Sequence, residues 1–277
     1  MGQTHSIIKF MKNTDEILMN TVISTALKAG DILKTGFRQR FEVEQKSAHD
    51  LITEYDTTVQ QFIVEQLSKA FPGAGFVAEE EHFSTKGDPL LVIDPLDGTN
   101  NFAMGIPQFC VSIGVFTGER QPKAGVVYNP VLEELYHAQV GKGAYLNGEP
   151  IHVTQEPLKD TLVATALPFK FRDKVDWITQ LLLHVYPEVM DIRRLGSAAL
   201  DVCYTAAGIF GLYFEYGINA WDTAAGVCLL REAGGVAVDF SGQPYDPFTS
   251  KSIVVGPPAH VERVLRLWRE SGVQLEG

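Results

Sequence analysis

Apolar residues recur at helical spacing through Leu18, Val22, Ala26, Ala29 and Leu33, which predicts a first helix following "NTDE". Asn13 is placed to cap it, with Glu16 three residues on. A second helix near Asp56 carries Val59, Phe62, Ile63 and Leu67 and stops at "FPG", residues 71–73. The period then changes. "GFV" reads as a short strand, and "PLLVID" is a continuous apolar run, the pattern of a strand buried on both faces. "FCVSIGVF" sets Phe109, Val111, Ile113 and Val115 on one side of a strand. "KAGVVYN" and "EELYHAQ" predict two more strands, and "GKGAYLNGEP" a hairpin. The glycines of that hairpin lack GxGxxG spacing and a strand-to-helix setting, so they serve the turn and not a dinucleotide.

From about residue 160 the elements alternate. "TLVATA" precedes a helix near 174–186, and "MDIRRL" leads into the helix "SAALDVCYTAAG". "GLYFEYG" leads into a helix starting at "WDTAAG". The strands "GVAVDF" and "SIVVG" and a helix at 259–270 follow. This order predicts a layered α+β protein with approximate halves 1–160 and 161–277.

The length of 277 residues is enough for a large core. A net charge of −11 disfavours direct nucleic-acid binding and anionic membrane surfaces. No apolar run approaches the ~18 residues of a membrane span. Cys110, Cys203 and Cys228 all lie in apolar runs and form no CxxC pair, which fits a reducing compartment. With no charged and apolar leader pattern at the N-terminus, a cytoplasmic protein is expected.

The chemistry concentrates at "VIDPLDGTNNF", residues 92–102, where an apolar strand ends on Asp94 and Asp97. Crowded carboxylates are costly unless a cation compensates them, and an all-oxygen set suits a hard ion such as Mg²⁺. The "GTN" turn offers free backbone N–H groups to an anion beside it. A cation site next to an anion site is the arrangement of metal-assisted phosphoryl transfer. Taken alone, the stretch reads equally well as a capped turn. Further carboxylates lie at other element ends: Glu79 in "AEEE", Asp56 in "ITEYD" and Asp222 in "WDTAAG". Asp56 and Asp222 also suit helix caps, and Glu79 a solvated loop. The seven histidines show no metal-ligand spacing, and "LGSAA" lacks the G-x-S-x-G of a nucleophile elbow.

These stretches together resemble the inositol monophosphatase family of Mg²⁺-dependent, lithium-sensitive phosphatases, in a bacterial-type branch. "IDPLDGTNNF" resembles the family's D-P-(I/L)-D-G-T-x-N-F, and "WDTAAG" its W-D-x-A-A-G. "KSAHDLITEYD", "FVAEEE" and "RRLGSAALD" match further blocks in the right order, so the likeness covers essentially the whole chain. Asn100 departs from the pattern, standing where many members have a second threonine, and the connection from Glu79 to Asp94 is short.

The resemblance implies a five-layered αβαβα sandwich forming one phosphatase unit. It implies that Glu79, Asp94, Asp97, Asp222 and the carbonyl of Leu96 hold two or three Mg²⁺ ions. Thr99, paired with Asp56, would orient and help deprotonate the attacking water, and the N–H groups of Gly98 and Thr99 would hold the phosphate. Gly196, Ser197, Ala198 and Glu215 would contact substrate, with Lys46 and Glu80 as possible supporting groups. The implied reaction is hydrolysis of inositol monophosphate to inositol and phosphate by a metal-activated water, with inhibition by Li⁺. The alternative within that chemistry is a fructose 1,6-bisphosphatase or dual-specificity sugar phosphatase. An alternative of another class is a protein-binding partner of the transcription machinery. A homodimer is also implied.

Overall fold

Helix α1 spans Gly2–Gly36 and so begins well before the expected cap: Asn13 lies inside it. Residues 3–29 contain neither glycine nor proline, and an internal asparagine costs well under ~1 kcal/mol of helix propensity, so nothing stops the helix there. The computed structural model describes residues 2–40, 43–47, 50–80, 85–167 and 175–272; the side chains of residues 2–14, 43, 46, 47 and 50 lie outside that description. Helix α2, Glu54–Ala70, starts at a capping box with Thr53 as N-cap and Asp56 at the third position. Between the two helices, β1 (Val43–Ser47) and β2 (Asp50–Thr53) form an antiparallel hairpin. The sequence did not announce it, because "VEQKS" has no apolar alternation to mark a strand.

Seven strands make the first sheet: β3 (Gly75–Ala78), β4 (Leu90–Asp97), β5 (Cys110–Thr117), β6 (Gln121–Asn129), β7 (Glu134–Gln139), β8 (Ala144–Leu146) and β9 (Glu149–Ile151). They lie side by side in chain order, β3 parallel to β4 and the rest antiparallel. The expected hairpin is β8–β9. The short helix α3, Thr99–Ala103, follows β4. The second sheet holds β10 (Leu162–Thr165), β11 (Asp191–Arg193), β12 (Phe210–Tyr216), β13 (Val236–Val238) and β14 (Ser252–Gly256), in the order β11-β10-β12-β14-β13. Between and around these strands run α4 (Val175–Val185), α5 (Ala198–Ala206), α6 (Ala220–Glu232) and α7 (Pro258–Glu270).

The apolar faces sort these elements into layers. Val22 and Leu33 of α1 and Ile63 of α2 pack with Ile113 and Val115 on one face of the first sheet. Its other face meets α5 and α6, whose Leu200, Val202, Val227 and Leu229 share a core with Tyr213 and Val255 of the second sheet. Ile178 of α4 and Val264 and Leu267 of α7 cover the far side of that sheet. The result is the five-layered αβαβα sandwich. The central helices pack tightly: a Cβ at Gly125 would stand 2.3 Å from the Ala225 carbonyl oxygen, so only glycine lets α6 lie that close on β6. Each fully buried Val, Leu or Ile in these layers contributes about 1.5–3 kcal/mol of transfer free energy. Among the described residues, no helix is long and apolar enough to cross a membrane.

Candidate functional site

Asp94 and Asp97 are three residues apart, a spacing that in a regular strand points them to opposite faces. The register resolves this. Asp94 pairs with Ser112 and Asp97 with Cys110, so three steps on β4 match two on β5. That β-bulge supplies the odd residue that turns both carboxylates to one side. Pro95, which has no N–H for the ladder, falls within the interruption. The chain then turns at Gly98 with φ 91°, and a Cβ there would sit 2.7 Å from the Gln108 carbonyl oxygen. Both facts demand glycine, and α3 starts at the next residue.

The bulge opens onto a cavity of about 120 Å³ between the first sheet and the start of α5 and α6. Oxygens of Asp94, Asp97 and Asp222 lie within 4.8 Å of one another there. Asp222 is brought in by α6, where it forms a capping box with Asn219 and accepts the Asn219 N–H at 2.7 Å. Glu79, just past β3 and half-buried, lines the same cavity, as does Leu96. One Asp97 oxygen accepts both the Ser197 hydroxyl, at 2.6 Å, and the Ala199 N–H, at 2.7 Å. Asp94 accepts the Leu96 N–H at 3.0 Å.

Among the described residues, no basic side chain is a leading influence on Asp94 or Asp97, and their electrostatics show it. Burial pushes Asp94 well above the usual carboxylate range, and the charges of Glu79, Asp97 and Asp222 push it further, against the Leu96 N–H bond. Asp97 rises to about 6 by burial, with the Ser197 and Ala199 bonds opposing. An all-oxygen set whose members hold one another's protons is the donor set of a hard divalent cation.

Behind the turn, Asp56 is held rigidly. The Thr53 N–H and hydroxyl donate to one of its oxygens at 2.7 and 2.6 Å. The other oxygen faces the Thr99 hydroxyl at 3.0 Å, and that hydroxyl is also 3.0 Å from the Leu96 carbonyl. Burial raises Asp56 to about 6, again against these hydrogen bonds. Thr99 lines the cavity, with Asp56 one residue deeper.

The opposite wall carries Glu215 at the end of β12, with Gly196, Ser197 and Ala198 leading into α5. Tyr213 donates its hydroxyl to Glu215, yet burial still raises that carboxyl to about 8. Ser197 is buried and its hydroxyl is committed to Asp97, so its reach toward a ligand is through the backbone. Glu80 does not line the cavity; its N–H donates to the Gln60 side chain at 3.0 Å. The Lys46 side chain lies outside the described residues.

Among the lining residues that escaped the sequence reading are Asn101, Arg194, Asp201 and Asn219. Asn101 donates to the carbonyls of Gln108 and Leu195, at 2.7 and 2.8 Å, and so ties α3 to the loop before α5. The signal for Asp201 was present: it is the lone charge in the apolar helix "AALDVCYTA".

The model of the inositol monophosphatase family matches residues 15–272. The chain belongs to the inositol monophosphatase family. It is 40% identical over 240 residues to "Inositol monophosphatase 3" of Solanum lycopersicum, covering 83% of this chain and 89% of that protein. It is 38% identical over 263 residues to "Nus factor SuhB" of Vibrio cholerae, covering 92% of this chain and 97% of that one. The crystal structure of extragenic suppressor protein suhB from Bartonella henselae superposes with a TM-score of 0.87 at 35% identity, covering 91% of this chain and 98% of that chain. Family members are metal-dependent phosphatases of small phosphate monoesters.

Proposed function

We propose that this chain hydrolyses inositol monophosphate to inositol and phosphate, with Mg²⁺ as its metal. The observation that carries the reading is the convergence of Asp94, Asp97 and Asp222 within 4.8 Å in a cavity that Thr99 and Glu215 also line. The donor chemistry fits the metal: oxygens only, mutually repelling, with Glu79 and the Leu96 carbonyl at hand. When bound, divalent cations supply charge for the phosphoryl oxygens and make water more acidic. Asp94, Asp97, Asp222, Glu79 and Leu96 would hold them.

The chain's own residues do the rest. Asp56, fixed by Thr53, accepts the proton of the Thr99 hydroxyl and so aims the Thr99 lone pairs at the attacking water. The water's proton passes to Thr99 as the hydroxyl's own moves to Asp56. Gly98 and Thr99 present backbone N–H groups to the phosphate. Ser197 and the Ala199 N–H keep one Asp97 oxygen occupied and leave the other for the ion. Glu215 and the Gly196–Ala198 backbone bind the alcohol half.

The test is phosphate release with Mg²⁺ from inositol 1-phosphate, fructose 1,6-bisphosphate, adenosine 3′,5′-bisphosphate and histidinol phosphate. Inositol 1-phosphate should be turned over best, excess EDTA should abolish release, and Li⁺ should inhibit it. Fructose 1,6-bisphosphate as the best substrate would select the sugar-phosphatase alternative, and full release in EDTA would remove the metal mechanism. A second reading draws on the relative named "Nus factor SuhB": a protein-binding role in transcription, carried by the surface. A pull-down with the Asp94→Asn variant separates the two, since a surface role survives loss of catalysis.

A further inference from the structure

Among the described residues only two buried side-chain polar atoms lack a hydrogen-bond partner, Trp221 Nε1 and Asp201 Oδ1. Asp201 is the one of the two that lines the cavity. It is 1% exposed and sits in the first turn of α5, flanked in sequence by the fully buried Leu200 and Val202. Burial and the charges of Glu215 and Asp97 raise its pKa well above the usual range, and Arg194 alone opposes them.

A buried carboxyl oxygen without a hydrogen-bond partner is expensive, because it has given up water with no bond in exchange. The usual structural reason for an acid in a first helical turn is to take a free N–H. At α5 the Ala199 N–H goes to Asp97, and Oδ1 of Asp201 takes none. The fold therefore does not account for Asp201, and what remains is a ligand that enters the cavity.

We infer that Asp201 is a specificity-determining residue, and that it and Glu215 accept hydrogen bonds from two hydroxyls of the same polyol phosphate monoester. Both are acceptors on adjoining walls, one on α5 and one on β12, lining one cavity. Glu215 alone anchors a single hydroxyl. Asp201 adds a second acceptor, which an aryl phosphate cannot use and a polyol can. The substrate class is accordingly a phosphate monoester of a polyol with hydroxyls placed to meet both walls. This rests on the phosphate-monoester reading above. A site that hydrogen-bonds a substrate hydroxyl rejects the analogue lacking it by large factors, because its own polar group is then left unpaired.

The experiment uses the full chain loaded with Mg²⁺ and two variants, Asp201→Leu and the near-isosteric Asp201→Asn. The reading is the ratio of kcat/KM for inositol 1-phosphate to that for p-nitrophenyl phosphate, with the Ki of free inositol against p-nitrophenyl phosphate as a binding readout. The ratio should fall, and the Ki rise, about tenfold or more in Asp201→Leu and by less in Asp201→Asn. Melting temperatures in EDTA should hold or rise, since a buried orphan has been removed. Equal loss on both substrates with a lower melting temperature would make Asp201 structural and overturn the inference. So would an unchanged ratio and Ki in Asp201→Asn, which stands even if the leucine variant fails to fold. A parent that prefers p-nitrophenyl phosphate over every polyol phosphate refutes the functional reading itself, and the inference with it.

Discussion

Replacing Asp94 by asparagine should leave the metal-free protein as stable as the parent or more so, while nearly abolishing catalysis. Asp94 is 1% exposed and shares its space with Asp97 and Asp222, oxygens within 4.8 Å. A fully ionised pair at that distance repels by about 3 kcal/mol at an effective dielectric near ~20. Asp94 faces two such neighbours and Glu79 besides, so the empty site keeps protons, as its raised pKa shows. Relieving one pKa unit of that upward shift corresponds to ~1 kcal/mol. Asparagine relieves that and keeps an oxygen for the Leu96 N–H. In EDTA the variant should therefore melt level with the parent or about 2–4 °C higher. Saturating Mg²⁺ at about a hundredfold its Kd should stabilise the parent by ~2.7 kcal/mol and the variant by much less. Turnover should fall by about 10²-fold or more, the scale for losing one transition-state stabiliser. Parallel melts in EDTA and in Mg²⁺, with phosphate release on the same samples, give all three quantities. If the variant melts well below the parent in EDTA yet keeps its activity once folded, Asp94 is a structural cap and the metal-site reading is wrong.

Ser197→Ala removes a donor that holds one Asp97 oxygen, so the Mg²⁺ concentration for half-maximal activity should rise about 10-fold, the usual size for a group that orients a ligand; an unchanged Mg²⁺ titration would refute the clamp. Thr99→Val should lower kcat by about 10²-fold or more on inositol 1-phosphate and p-nitrophenyl phosphate alike, because it acts on the water and not on the alcohol. Glu215→Gln should instead lower the ratio of those two activities, and equal loss on both would move Glu215 out of the substrate wall. In EDTA, melting should drop as pH rises from about 5 to 8. Asp56 and Asp97 titrate near about 6 and Glu215 near about 8 in the fold, above their unfolded values, so the fold binds extra protons that the rising pH removes. A melting temperature that climbs over that range in EDTA would contradict this.

Much of the architecture was legible because its signals are local. "PLLVID" is a short continuous apolar run bounded by turn residues, which suits a strand buried on both faces, and "SAALDVCYTAAG" is long and apolar enough for a buried helix. The misses have the same origin. Asn13 reads as a cap, but a cap signal cannot show that a helix is already running. Strand β1 is polar, so the β1–β2 hairpin was invisible to a hydrophobic pattern. For the site, the acids at element ends were visible one by one. Their convergence was not, because it depends on a bulge whose register belongs to β5 as much as to β4. Asp201 was passed over for a physical reason as well: one charge in an apolar helix looks like noise until its Oδ1 is seen buried without a hydrogen-bond partner.

The placement of Asp97 ties these observations together. The carboxylate belongs to β4 in the first sheet, its donors to the start of α5, and its neighbour Asp222 to α6, both between the sheets. A group clamped by one layer and repelled by a residue of the same layer can hold its geometry only when the layers are packed. The Ser197 hydroxyl and the Ala199 N–H are what make that packing tolerable, because they favour the charged form of Asp97 against burial and the charge of Glu79. The first sheet and the helices between the sheets thus share a single electrostatic problem that neither solves alone. Residues 1–160 hold Asp94 and Asp97 without the donors that stabilise Asp97, and residues 161–277 hold the donors and Asp222 without the carboxylates they serve. A cation that binds the assembled cluster and not its separate parts stabilises the contact between the layers by mass action. Metal binding and the docking of the two sheets are, on this argument, thermodynamically coupled.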